Sequence, residues 1–209
     1  MKLSSDSFSD GGIIPAEFAF GQPGPDSPVV FAGNRNPHLA WDDVPLGTRS
    51  FVLTCIDTDV PTDPETVNRN DRVVPAAQPR GEFVHWLIAN LPANLRTLAA
   101  GSCSDGITAK GKREPQGPDG SVQGRNDYTG WVAGDADMAG DYLGYDGPCP
   151  PWNDERVHQY RFRLYALERD NLPLQPGFTL AELREAIADY VLAETELVGT
   201  YTLNPRLSA

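Results

Sequence analysis

The chain has 209 residues, enough for one domain with a sizeable hydrophobic core that needs neither disulfides nor metals. Its formal net charge is −12 and its 17 lysines and arginines form no cluster, which excludes nucleic acid as a partner and disfavours a generic anionic membrane surface. Hydrophobic residues make up 40%, but no apolar run reaches the roughly 18 residues of a membrane span, so no integral membrane association is expected.

Met1 to Asp10 has no apolar stretch ahead of a small-residue cleavage site, and a cytoplasmic location is expected. Cys55, Cys103 and Cys149 are odd in number and far apart, which suggests neither a disulfide framework nor a zinc knuckle. From Phe8 to Trp41, short apolar pieces broken by Gly, Pro and Asn predict brief strands and turns. Val44 to Thr48 is a turn feeding a strand over Ser50 to Ile56. There Phe51, Leu53, Cys55 and Asp57 point one way, so a carboxylate lands at the edge of an apolar face.

Thr58 to Glu82 reads as a polar, proline-rich loop, and Asp59, Asp63, Asp135, Asp137 and Asp141 read as solvated loop carboxylates. A second strand runs from Phe83 to Asn90, with His85 sharing a face with Phe83 and Leu87, and Pro92 stops it. Residues 101 to 157 are punctuated by glycine, but Tyr128, Trp131, Tyr142, Tyr145 and Trp152 predict an ordered segment, because disordered chains are poor in aromatics. Within it, Tyr145-Asp-Gly-Pro-Cys-Pro-Pro151 is a stiff loop, since proline fixes φ and lacks the amide donor.

The strand His158 to Leu167 follows, with His158, Tyr160, Phe162, Leu164 and Ala166 on one face. One helix is predicted, opened by a capping box over Thr179 to Glu182, with Leu180, Leu183, Ile187, Tyr190 and Val191 on its apolar stripe. The tail from Glu196 to Leu203 alternates as a last short strand. With no βαβ rhythm and no phosphate-binding glycine motif, the fold is mainly antiparallel β, a single domain over residues 1–209 with one or two peripheral helices.

Asp57, His85 and His158 are the ionisable residues on otherwise apolar strand faces, one from each of three strands. If these strands are neighbours, the trio converges beside the proline loop and forms a polar pocket floored by apolar groups. The imidazole N–H groups would donate to phosphate or carboxylate oxygens, Asp57 would fix a tautomer, and the backbone around Gly147 would add donors. Taken singly, each histidine is equally a satisfied core residue, Asp57 a turn cap and Tyr160 ordinary core. Cys149 has no basic neighbour to lower its pKa and reads as packing. The runner-up is a hydrolase, metal-dependent or metal-free, using the same cluster. Against it, there is no HxH or HExxH spacing and no nucleophile elbow, so no catalytic residue, metal or cofactor is expected.

Three segments resemble the phosphatidylethanolamine-binding protein family, in particular the Raf kinase inhibitor-like proteins of bacteria. Phe51-Val-Leu-Thr-Cys-Ile-Asp-Thr-Asp-Val-Pro61 is similar to the family's Asp-Pro-Asp-Ala-Pro strand and loop, Phe83 to Pro92 to its His-Trp strand, and Tyr145 to Pro151 with His158-Gln-Tyr160 to its Gly-Pro-Cys-Pro-Pro and His-Arg-Tyr block. The chain departs at Thr58 and Val60 of the first motif and at Gln159 of the third. The resemblance implies an antiparallel β-sandwich with long ordered loops, a C-terminal helix and a small anion-binding pocket. It carries over Asp57, His85, Gly147, His158 and Tyr160 as ligand-binding residues, with Asp59, Pro61, Tyr145 and Pro148 shaping the rim. It also implies a homodimer and a kinase or protease as protein partner.

Overall fold

The computed structural model describes residues 1–207. Its main sheet has five antiparallel strands in the order β10-β9-β5-β6-β8, which are Val191–Tyr201, His158–Leu167, Ser50–Pro61, Arg80–Pro92 and Val122–Gln123. A second sheet, β1-β4-β7, is built from Lys2–Ser4, Leu39–Asp42 and Thr97–Leu98. β2 (Gly21–Gln22) and β3 (Val30–Phe31) form a two-stranded ribbon. The architecture is the expected antiparallel sandwich.

Its core lies between the two sheets. Phe51, Leu53 and Cys55 of β5, Phe162, Leu164 and Ala166 of β9, and Trp86, Ile88 and Leu91 of β6 meet Leu3, Leu39, Trp41 and Leu98 of the smaller sheet, all buried. Burying each of the larger side chains contributes about 1.5–3 kcal/mol, which offsets part of the entropy lost in ordering the chain. The opposite face of the main sheet carries a second cluster, in which Val52, Val84, Leu87 and Ala89 receive Leu183 and Ile187 of helix α2, Leu180–Ile187. Both hydrogen bonds of the capping box at Thr179 form.

The strands are longer than their apolar pattern. β5 runs on to Pro61 and β6 begins at Arg80, so the polar loop shrinks to residues 62–79. α2 is shorter than its stripe: it ends at Ile187, and Val191 already belongs to β10, where the ladder to Leu167 captures it. The glycine-rich stretch holds β8 and a single turn of helix, α1, over Tyr128–Trp131. Among the described residues, no helix is long and apolar enough to cross a membrane.

One irregularity positions the site. Cys55 pairs with Trp86 but Ile56 pairs with Val84, leaving His85 as the extra residue of a β-bulge. His85 and Trp86 therefore both face the sandwich interior, while Leu87, expected on the face of His85, turns to the α2 side. A strict period of two cannot produce this arrangement.

Candidate functional site

At one end of the sandwich, a pocket of about 430 Å³, its mouth included, opens beside the proline loop. Its floor comes from three adjacent strands. Asp57 on β5 stands opposite Phe83 on β6 and Tyr160 on β9, with His85 two residues after Phe83 and His158 two residues before Tyr160. Tyr128 and Trp131 of α1, Val60 and Pro61 at the end of β5, Val67 beyond it, and Cys149, Pro150 and Pro151 form the walls.

The two imidazoles have opposite chemistry. His158 is fully buried and bonded at both nitrogens, Nδ1 to Asp57 Oδ2 at 2.6 Å and Nε2 to Asp154 Oδ2 at 3.1 Å. Burial pulls its pKa down, but the hydrogen bonds and charges of Asp154 and Asp57 outweigh this and lift it to about 9, so the ring is an imidazolium at neutral pH. Burial likewise pushes Asp154 up, yet its bonds with His158, Arg80 and the Arg156 amide hold it below the usual carboxylate range. Arg80 completes this row with a two-pronged ion pair to Asp154, at 2.5 and 3.0 Å.

His85 is driven the other way. Burial lowers its pKa, and the nearby charges of Asp57, Asp127 and Asp146 offset only part of that, which keeps the ring neutral. Its Nδ1–H donates to the Asp146 carbonyl at 2.7 Å, so Nε2 carries the lone pair, and no protein group among the described residues bonds it. The tautomer is held by a buried post. The Asp146 carboxylate accepts from Asn34, Lys112 and Asn126 at 2.7, 2.6 and 2.8 Å, which fixes the carbonyl that His85 meets.

Tyr160, like Trp41, has a buried polar atom without a well-formed hydrogen bond among the described residues. Its ring is fully buried, T-stacked on His85 with centroids 5.1 Å apart, and its hydroxyl, near the Asp57 carboxylate, makes no well-formed hydrogen bond to a described residue. Burial, and then the Asp57 charge, push its pKa well above the usual phenol value, so it keeps its proton and remains a donor. Asp57 itself is 2% exposed and accepts from the Asp59 amide at 2.8 Å as well as from His158.

Of the residues expected from the sequence, Asp57, Pro61, His85, His158 and Tyr160 line the pocket, whereas Asp59, Tyr145, Gly147 and Pro148 do not. Asp59 is buried, not a solvated loop carboxylate, and ties Arg156 and the Gln159 amide at 3.0 Å each. Tyr145 is core, its hydroxyl donating to the Phe18 carbonyl at 2.6 Å. The Gly147 amide already donates to Asn34 at 2.8 Å, and a side chain there would stand 2.1 Å from the Phe18 carbonyl, so this glycine serves the approach of two backbones and not that of a ligand. The Pro148 carbonyl accepts from the Phe20 and Gly21 amides. The expected pair of imidazole donors is likewise absent: both N–H groups of His158 are donated to carboxylates, and His85 offers an acceptor.

Sequence reasoning missed Asp154 and the Asp146 post, because both sit in loops where no periodicity marks a side chain's direction. Tyr128 and Trp131 were legible as ordered aromatics, and their spacing of three is one helical turn, but nothing placed that turn over the pocket. Burial pushes the Cys149 thiol up to about 12, consistent with a packing role. Among the described residues, no group of three His, Cys, Asp or Glu side chains is placed to hold a metal ion.

A family model described as phosphatidylethanolamine-binding protein matches residues 4–202. The chain is 32% identical over 202 residues to the UPF0098 protein YbhB of Escherichia coli, covering 97% of this chain and 100% of that one. It is 33% identical over 201 residues to a UPF0098 protein of Methanothermobacter thermautotrophicus, with 96% and 98% covered. The crystal structure of Escherichia coli YbcL, described as a new member of the mammalian PEBP family, superposes with a TM-score of 0.69 at 26% identity, covering 96% of this chain and 97% of that one.

Proposed function

Because the chain belongs to the phosphatidylethanolamine-binding protein family, we propose that it is a binding protein whose pocket takes a small acidic head group, a phosphate ester or a carboxylate, together with a proton. The reading rests on two groups at the pocket floor, the Tyr160 hydroxyl, a donor beside the Asp57 carboxylate that makes no well-formed hydrogen bond to a described residue, and the free Nε2 of His85, an acceptor. An isolated anion would find one donor and the Asp57 carboxylate, a poor exchange for its hydration shell. A singly protonated phosphate ester or a carboxylic acid fits better: one oxygen accepts from Tyr160, while its O–H donates to His85 Nε2 or passes the proton to it. His158, Asp154 and Arg80 carry one net positive charge, which Asp57 balances, so the row holds Asp57 in place without itself contacting the ligand. The aromatic rings of Phe83, Tyr128 and Trp131 pack against the ligand's carbon chain.

Phosphate-ester binding is therefore proton-coupled, strongest where the ester keeps one proton, below its second pKa of about 6. The test is a titration of isotope-labelled protein with methyl phosphate near pH 5.5 and near pH 8, read at the His85 ring and the Tyr160 amide. Tighter binding at the lower pH and an approximately tenfold loss in Tyr160→Phe are expected. Equal affinity at both pH values, or in both proteins, would overturn the reading.

A further inference from the structure

The opposite face of the same sheet carries a second cleft. α2 covers only part of that face, by Leu183 and Ile187; at its edge Thr54 of β5 is buried, while Ile56 and Thr58 of β5 and Arg161, Arg163 and Tyr165 of β9 are only half-buried. Between helix and strands lies a shallow cleft of about 480 Å³ counted with the solvent at its open mouth. It stands back to back with the pocket described above, because Ile56 and Thr58 flank Asp57 on β5 and project to the other side.

Its charge does not balance. Arg161 and Arg163 both close on Glu196, at 2.7 Å each, and Arg184 pairs with Glu82 at 2.9 Å, so three guanidinium groups face two carboxylates. Glu194, opposite Tyr165 on the edge strand, is exposed and lies outside the lining. One positive charge is left over in a protein of net charge −12, where most of the surface repels anions.

Donors are also left over. Arg184 bonds Glu82 only through Nη2, leaving Nε and Nη1 without protein partners among the described residues. At the floor, Thr54 is 3% exposed and its hydroxyl makes no hydrogen bond to a described residue. Beside these donors stand the half-buried apolar side chains of Ile56 and Leu180.

From this placement we infer that the cleft is a second ligand site, for a small amphipathic acid whose carboxylate or phosphate lies against Arg163, Arg184 and Thr54 and whose short carbon chain covers Ile56 and Leu180. The unmatched guanidinium charge selects the anion. The apolar wall selects against a bare inorganic one.

Hexanoate, with inorganic phosphate as the control, is a suitable probe for isotope-labelled full-length protein. Saturable shifts at the amides of Thr54, Ile56 and Arg163 are expected with hexanoate, much weaker ones with phosphate, and a loss of about tenfold in affinity in Arg163→Gln with Arg184→Gln. The milder Thr54→Val keeps every charge and should weaken binding while melting as the parent does, which separates site loss from misfolding. The inference fails if hexanoate shifts only the residues around Asp57, or if its affinity survives both sets of substitutions. It also fails if the same cleft amides shift with protein concentration alone, which would make this face a contact between copies of the chain.

Discussion

Raising the pH from about 6.5 to about 8.5 should weaken the folded protein by about 2 kcal/mol through His158 alone. The imidazole sits between Asp57 and Asp154 and holds its proton up to about 9, against 6.5 for an ordinary histidine. That difference corresponds to about 3 kcal/mol in full. The folded-state value is the higher one, so the contribution is fully present below about pH 6.5, where the unfolded chain is protonated as well. It is lost as pH rises through about 9, and less than about 1 kcal/mol remains at 8.5. The window stops there because burial raises all three thiols, Cys149 to about 12, so above it the unfolded chain begins to gain stability from thiolates the folded one does not form. Urea unfolding at half-unit steps of pH measures the slope, and the imidazole carbon and nitrogen shifts of His158 report its titration directly. A stability that is flat or rises over this interval, or a His158 ring that titrates below pH 7, would refute the argument that two carboxylates hold the charge.

Tyr160→Phe should change stability by no more than about 1 kcal/mol, because the buried hydroxyl it removes makes no well-formed hydrogen bond and has only the Asp57 carboxylate nearby, while weakening ligand binding; thermal melts beside the methyl phosphate titration check both halves. Gly147→Ala places a carbon 2.1 Å from the Phe18 carbonyl and should cost about 3 kcal/mol or prevent folding, seen as a lowered unfolding midpoint. Replacing Lys112 by Met strips the counter-charge from the buried Asp146 carboxylate, at a cost of about 3–5 kcal/mol in denaturant, and should loosen the His85 tautomer, read from its ring nitrogen shifts. At pH 8 the Cys149 thiol should react with a disulfide reagent roughly a thousandfold more slowly in the folded protein than after unfolding, because so little of it is thiolate.

The strand pattern carried most of the fold. Alternation placed Phe51, Leu53, Cys55 and Asp57 on one face and His158 to Ala166 on another, and both faces do meet in the sandwich core, because side-chain direction along a regular strand is a local property of the backbone. The capping box at Thr179 is equally local and formed as expected. The same local logic failed at Leu87: the bulge around His85 is set by how β6 registers against β5, a neighbour about thirty residues away that no single-strand pattern contains.

Residue types and their alternation were therefore enough to indicate a mainly antiparallel β fold and to pick out Asp57, His85 and His158 as polar groups on apolar strand faces, while the sandwich itself came from the family resemblance of three motifs. Which of these imidazoles is charged, and which nitrogen faces the cavity, only the tertiary structure decided. Those properties depend on Asp154 and on the Asp146 carbonyl, delivered by loops far from the strands they serve, and a proton's position follows the sum of burial and nearby charge in space, not spacing along the chain.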